Sequence, residues 1–325
     1  METKIKLIFN GVFFIITTTI ALLLLCCNPD NPDPVYPDVD REGKIPKDIV
    51  KGDTNNDNHP PILHVNDFIK PVPLPYPINT AGAEDSPFIT PDGNTLYFFF
   101  TPDVRITPDK QLLDSVTGVW VTYKKAGIWG KPVRLWLQDP GKLALDGAVC
   151  VQGNEMWFAS AREGYQGVNM FTAEYSGDRW KNWKYCGDRL MKEIQIGEVH
   201  IHGDDLYFHS SRNGGKGNYD LWVTTRNGSA WSDPVNLEKL NSAEMDGYPY
   251  VSQDGKELWF TRTYLGTPAI YRSLKDSSGW SDPVLIVSQF AGEPTLDLDG
   301  NLYFVHHYFK NNVMIEADIY FAAKK

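Results

Sequence analysis

A five-bladed, all-β propeller is the fold this sequence predicts, and three observations predict it. Short apolar triplets, Leu96-Tyr97-Phe98, Met156-Trp157-Phe158, Leu206-Tyr207-Phe208, Leu258-Trp259-Phe260 and Leu302-Tyr303-Phe304, recur along the chain. Each follows a tight-turn signal: Asp92-Gly93, Gly153-Asn154, Gly203-Asp204, Asp254-Gly255 and Asp299-Gly300. Such dipeptides between apolar runs mark hairpins, because the turn needs positive φ and these residues tolerate it. The triplets begin at 96, 156, 206, 258 and 302, so the steps are 60, 50, 52 and 44 residues. A period in this range built from turns and aromatic strands is that of a propeller blade. Helical repeats of similar period need long stretches of 3.6-residue apolar spacing, and the chain has none.

Each unit reads as four strands. The innermost starts near an acidic residue, and the aromatic triplet forms the second. The third is Gly118-Val-Trp-Val, Asn169-Met-Phe-Thr, Asp220-Leu-Trp-Val, Ala269-Ile-Tyr-Arg or Asp318-Ile-Tyr-Phe. The fourth follows a tryptophan: Trp129, Trp180 or Trp183, Trp231 and Trp280. Proline in that last strand suits an outer edge, where one side faces solvent. The fifth unit ends at Lys325 after its third strand, while residues 70–80 match the fourth-strand pattern of Pro234 to Ser242. The N-terminal strand is therefore expected to complete the last blade and close the ring, removing two free edges.

The domain assignment follows. Residues 1–27 read as a lipoprotein signal peptide, with Lys4 and Lys6 before an apolar run that ends in Cys26-Cys27. Cys27 is the expected lipidation site. Cys26 is the alternative, because the residue before the modified cysteine is normally small, and an uncleaved membrane anchor is another. Residues 28–69, rich in Asn, Asp and Pro, read as a flexible linker that lacks the apolar surface to offset its ordering entropy. Residues 70–325 are the propeller. Within the linker Asp53, Asn55 and Asp57 have calcium-loop spacing, but Asn58 and His64 stand where the loop needs glycine and a bidentate acid. A solvated linker is the favoured reading there. Cys150 and Cys186 could pair in an oxidising compartment, yet the apolar run around Cys150 favours a buried free thiol.

The chain has 41 acidic and 31 basic side chains, a formal net charge of −10. That excludes a nucleic-acid partner, which needs a basic patch to displace counterions. No Ser-His-Asp spacing, phosphate loop or nucleotide fingerprint is present.

The units resemble the WD40-like PD40 repeat of TolB-type bacterial envelope propellers. The residues carrying the resemblance are Glu84-Asp-Ser-Pro-Phe-Ile-Thr-Pro-Asp-Gly-Asn-Thr-Leu-Tyr-Phe98, Asp246-Gly-Tyr-Pro-Tyr-Val-Ser-Gln-Asp-Gly-Lys-Glu-Leu-Trp-Phe260 and Asn213 to Trp222. It covers about 70–325, with Gln152-Gly153 replacing Asp-Gly in unit two. It implies a propeller in the bacterial envelope, facing periplasm or cell surface, of a kind that serves as scaffold, binding module or occasionally enzyme. With the leader and Cys27 the chain is expected to be lipid-anchored, and it is expected to be monomeric. The resemblance leaves the ligand open, because such folds host many activities.

The candidate site is a ring of acids at the channel mouth: Asp85, Asp146, Glu198, Asp246 and Glu293. Five carboxylates would make a negative funnel able to hold a cation such as calcium. The favoured reading of any single acid is nevertheless structural, bonding backbone amides of the neighbouring blade. Five-bladed glycoside hydrolases of the arabinanase and β-xylosidase kind carry Asp, Asp and Glu on successive blades. By that resemblance Asp85, Asp146 and Glu198 would be catalytic, one as base and one as acid. Arg162, Arg212 and Arg262 follow second strands and could clamp a carboxylate, or simply pair with the acids. His200 and His202 alternate with Glu198 and are weak candidates for a metal, more readily packing residues. Tyr165, Tyr248 and Tyr250 could stack on sugars, whereas the repeating tryptophans read as inter-blade core. The preferred function is a non-catalytic binding scaffold for protein or glycan; the alternative is a glycan-active enzyme.

Overall fold

The computed structural model describes residues 34–52 and 54–325, so the signal segment, its Cys27 and Asp53 lie outside the described residues. Residues 37–325 form one unit of five antiparallel sheets arranged as blades. From the axis outward, blade 1 is Ala83–Ile89, Thr95–Thr101, Gly118–Lys125 and Val133–Arg134. Blade 2 is Ala144–Gln152, Glu155–Arg162, Val168–Ser176 and Arg179–Tyr185; blade 3 is Val199–His202, Asp205–Ser210, Asp220–Asn227 and Val235–Asn236. Blade 4 runs Asp246–Val251, Glu257–Tyr264, Thr267–Asp276 and Val284–Ser288. Blade 5 takes three strands from the C-terminus, Ala291–Leu296, Leu302–Lys310 and Val313–Ala322, and its fourth, Val72–Pro73, from the N-terminal side. Val72 pairs with Phe321 and Pro73 with Tyr320, which closes the ring as expected.

The triplets form the heart of each blade because a second strand is covered on both faces by its neighbours. Leu96, Phe98, Phe208, Leu258 and Trp259 are all essentially inaccessible to solvent. The repeating tryptophans close the seams between blades. Trp231 of blade 3 lies 5.9 Å from Trp157 of blade 2. The Trp180 indole N–H donates to the Tyr97 hydroxyl of blade 1 at 3.2 Å. Blade 5 lacks such a tryptophan, and Phe68 takes its place, 1% exposed and 6.0 Å from Trp259 of blade 4.

The linker expectation fails from about residue 41 onward. Ile62–Leu63 pairs with Val287 and Ser288 and adds a fifth strand to blade 4. The buried Arg41 enters blade 1, Lys51 pairs with Glu316 and Asp318 on blade 5, and Asp57 bonds His306 at 2.8 Å. The composition is that of a tether, but a few anchoring side chains meet partners already buried in the disc. Those long-range contacts offset the ordering entropy that local sequence alone leaves uncompensated. Asp57 is thereby committed to His306 and to the His59 N–H, not to a calcium loop.

Candidate functional site

Each inner strand of blades 1, 2, 4 and 5 breaks register within its first few residues: between Asp85 and Phe88, Gly147 and Cys150, Gly247 and Tyr250, and Gly292 and Thr295. A residue with left-handed φ sits in each break, Ser86, Ala148, Tyr248 and Glu293. With Glu198 of blade 3 these residues line the axial pocket. Bulges re-aim side chains, and here they turn one residue per blade toward the axis. The preceding position is glycine in four blades. A Cβ at Gly147, Gly247 or Gly292 comes within 3.2–3.3 Å of Phe99, His209 or Thr261 of the previous blade. Only blade 1 carries a side chain there, Asp85.

The five acids therefore do not form one ring. Asp146 and Asp246 sit two residues before the axial position, fully buried in the blade tops. Asp146 accepts from Ser160 Oγ at 2.6 Å and from Arg162 at 2.7 Å. Asp246 accepts from Arg262 at 2.6 Å and from the Ser242 N–H and hydroxyl. Each arginine lies over the aromatic residues of its own blade, Arg162 4.2 Å from Phe171 and Arg262 4.8 Å from Tyr271. Glu84 is the blade 1 counterpart, and its arginine is Arg41, over Phe100 and Trp120. Arg212 lies 4.9 Å over Trp222 in the same way, but Ile196 stands where the acid would be. Its buried Nε and Nη1 have no hydrogen-bond partner. So Arg162, Arg262 and Asp246 are tied into blade seams and do not face the axis.

Asp85, Glu198 and Glu293 do meet at the mouth, together with Tyr248 and His307. His307 Nε2 lies 3.4 Å from Asp85 Oδ2, and the Ser86 N–H donates to Asp85 Oδ1 at 2.8 Å. Burial works to raise Asp85, but the His307 charge and hydrogen bond outweigh it and hold the carboxyl below its ordinary value. The same contact, against burial, raises His307. Burial, then Asp85, pushes Glu198 up to about 7. Burial, then Asp85 and Glu198, raises Glu293 well above the carboxylate range. The Asp85–His307 contact thus favours the charged forms of both partners, while burial and the Asp85 charge favour the protonated forms of Glu198 and Glu293. The mouth is therefore less negative than a count of carboxylates suggests.

The axial pocket beneath is about 50 Å³, room for a few waters. His200 sits in it, its Nδ1 3.5 Å from the buried Cys150 Sγ, and burial depresses it to about 3. His202 lies lower and bonds the Gln253 carbonyl. Among the described residues no group of three His, Cys, Asp or Glu is placed to hold a metal. Cys150 and Cys186 are both free thiols.

Glu84, Arg41 and the Asp85–His307 contact escape a reading by sequence alone. A signal for Glu84 does exist. The dipeptides Ser86-Pro87, Tyr248-Pro249 and Glu293-Pro294 align the axial positions, which puts Glu84, not Asp85, level with Asp246.

No family model matches the chain, and no curated protein matches it. Among solved structures, TolB from Acinetobacter baumannii is 11% identical over 76% of this chain and 55% of that one, with a TM-score of 0.44. Bacteroides ovatus Xyloglucan PUL GH43B is 15% identical over 78% and 54%, with a TM-score of 0.49. The catalytic domain of Coprinopsis cinerea GH62 alpha-L-arabinofuranosidase is 10% identical over 75% and 91%, with a TM-score of 0.42. The chain spans about half the length of the first two. The observed blade topology is the five-bladed propeller that the repeats imply. These likenesses assign no activity, because one fold hosts many unrelated functions.

Proposed function

We propose that this is a non-catalytic binding propeller of the bacterial cell envelope, tethered by lipid through Cys27, that presents the mouth face of the disc to a protein or glycan. The lipobox-like Leu-Leu-Cys-Cys and the basic, apolar leader support the tether. One observation carries the choice of platform over enzyme. Of the three carboxylates a five-bladed hydrolase would use, Asp146 is buried against Arg162 and Ser160, Asp85 is paired with His307, and Glu198 lines an opening of about 50 Å³. Pockets that engulf a small ligand run to roughly 300–1,000 Å³.

A second reading, a glycan-active enzyme, has one observation in its favour. Asp85 is held down while Glu198 is pushed up to about 7, the divergence expected of a base and an acid. Reducing-end release from the glycans that the full chain binds separates the two. The platform reading expects no release, with ligands and fold retained in Asp85→Asn with Glu198→Gln; release by the wild type that the double variant loses overturns it.

A further inference from the structure

Blade 2 departs from the repeat in its outer strand, on the mouth face. The outer strands of blades 1, 3 and 5 are two residues long and that of blade 4, Val284–Ser288, is five, whereas that of blade 2, Arg179–Tyr185, is seven. It keeps the repeating tryptophan, Trp180, and adds two aromatics without counterparts, Trp183 and Tyr185. Register with the third strand slips between Thr172 and Glu174, so Asn182 and Trp183 together oppose Ala173, and Asn182 is left-handed at φ 57°. A bulge at that point re-aims Trp183.

Trp183 and Tyr185 line a cleft of about 490 Å³ with Tyr165 and Phe171. Tyr165 is 45% exposed and packs against Phe171 at 4.9 Å and Tyr185 at 5.4 Å. The floor is rigid, because Arg162 lies over Phe171 and is fixed by Asp146. Lys142 and Glu163 on the rim pair with each other at 3.1 Å. The volume falls in the range of true ligand pockets, the walls are amphipathic rings, and the charged groups largely cancel.

We infer that this cleft is a carbohydrate subsite that takes a neutral sugar ring of a glycan. A pyranose offers a C–H face, which suits the negative face of an aromatic ring, and hydroxyls that suit Lys142, Glu163 and Asp139 on the rim. An anionic phosphate ligand fits less well, because Lys142, Arg162 and Lys184 already have acidic partners. The inference rests on the platform reading and names its ligand class.

The test is calorimetric titration of the full chain with cellohexaose, xylohexaose, mannohexaose, maltohexaose and chitohexaose, with a proline-rich decapeptide as the protein-type competitor. Binding of at least one glycan is expected, with tryptophan fluorescence quenched on saturation. Trp183→Ala is expected to weaken it by about ten-fold or more, on the order of 1.4 kcal/mol. Tyr165→Ala, at an exposed position that leaves the fold intact, is expected to weaken it several-fold. Binding to none of the five, binding to the peptide alone, or glycan binding that both variants retain overturns the cleft. Glycan cleavage lost in Glu198→Gln, with Trp183→Ala unaffected, overturns the platform reading separately.

Discussion

Arg41 Nη1 lies 3.5 Å from Glu84 Oε1 with both side chains buried. A residue from a stretch with the composition of a tether thus supplies blade 1 with the acid–arginine–aromatic stack that blades 2 and 4 build from their own strands. Arg41 also donates to the Pro77 and Ile78 carbonyls, so it pins the ring-closing segment as well as the blade. Burial nevertheless pushes Glu84 up to about 8.

Arg41→Met is therefore expected to destabilise the fold, with a cost that depends on pH. At about pH 6 Glu84 is protonated with or without its partner, and the loss is about 1 kcal/mol of packing and hydrogen bonding. At about pH 9 the variant must bury an unpaired carboxylate or bind a proton, and the loss grows toward 3 kcal/mol or more. Urea unfolding at the two pH values measures both; an equal loss contradicts the pairing.

Phe68→Ala is expected to cost about 3–5 kcal/mol, as for other large buried aromatics. The reason is that Phe68 fills the seam against Trp259 where other blades use a tryptophan. Thermal unfolding checks it, and a change under about 1 kcal/mol would remove residues 68–73 from the closure.

The three arginines should respond differently. Arg162→Met and Arg262→Met each strand a fully buried aspartate and are expected to cost about 3 kcal/mol or more. Arg212→Met strands nothing and relieves two unsatisfied donors, so it is expected to be neutral or stabilising by about 1 kcal/mol. Equal losses at all three would mean Arg212 has a partner.

Stability should rise as pH falls from about 8.5 to 6.5. Glu84, at about 8, Glu198 and Glu316, at about 7, and Glu293 hold protons in the folded chain that unfolded glutamates, near 4.5, release. Where the folded state binds more protons, acidification stabilises it. Below 6.5 the gain is opposed: His200 and His209, depressed to about 3 and about 4, stay neutral while unfolded histidines charge. A melting temperature that climbs to about pH 6.5 and then flattens is expected; a steady fall from pH 8.5 to 6.5 contradicts the burial of these acids.

Much of the fold was legible because its signals are local and repeated. Turn dipeptides, aromatic triplets and the match of residues 70–80 to a fourth strand each report on nearby residues. What escaped is long-range. Arg41, Lys51 and Phe68 find their partners far along the chain, and nothing adjacent to them announces it. The two levels of the acids are hidden in the sequence for a different reason. Asp85, Asp146 and Glu198 all stand near strand starts, but a bulge shifts the direction of each side chain within one or two residues. Counting acids from the strand start therefore merged a seam level with an axial level. The blade 2 aromatics were visible in sequence, yet the repeat made every tryptophan look structural, and only register separates Trp183 from Trp180.

The most direct measurement of the platform reading is release of reducing ends from the glycans the full chain binds, assayed near neutral pH. The account predicts no release above that of Asp85→Asn with Glu198→Gln, and unchanged binding in that double variant. Turnover by the wild type that falls by about a thousand-fold or more in the double variant would contradict it, and would make the mouth a catalytic acid–base pair.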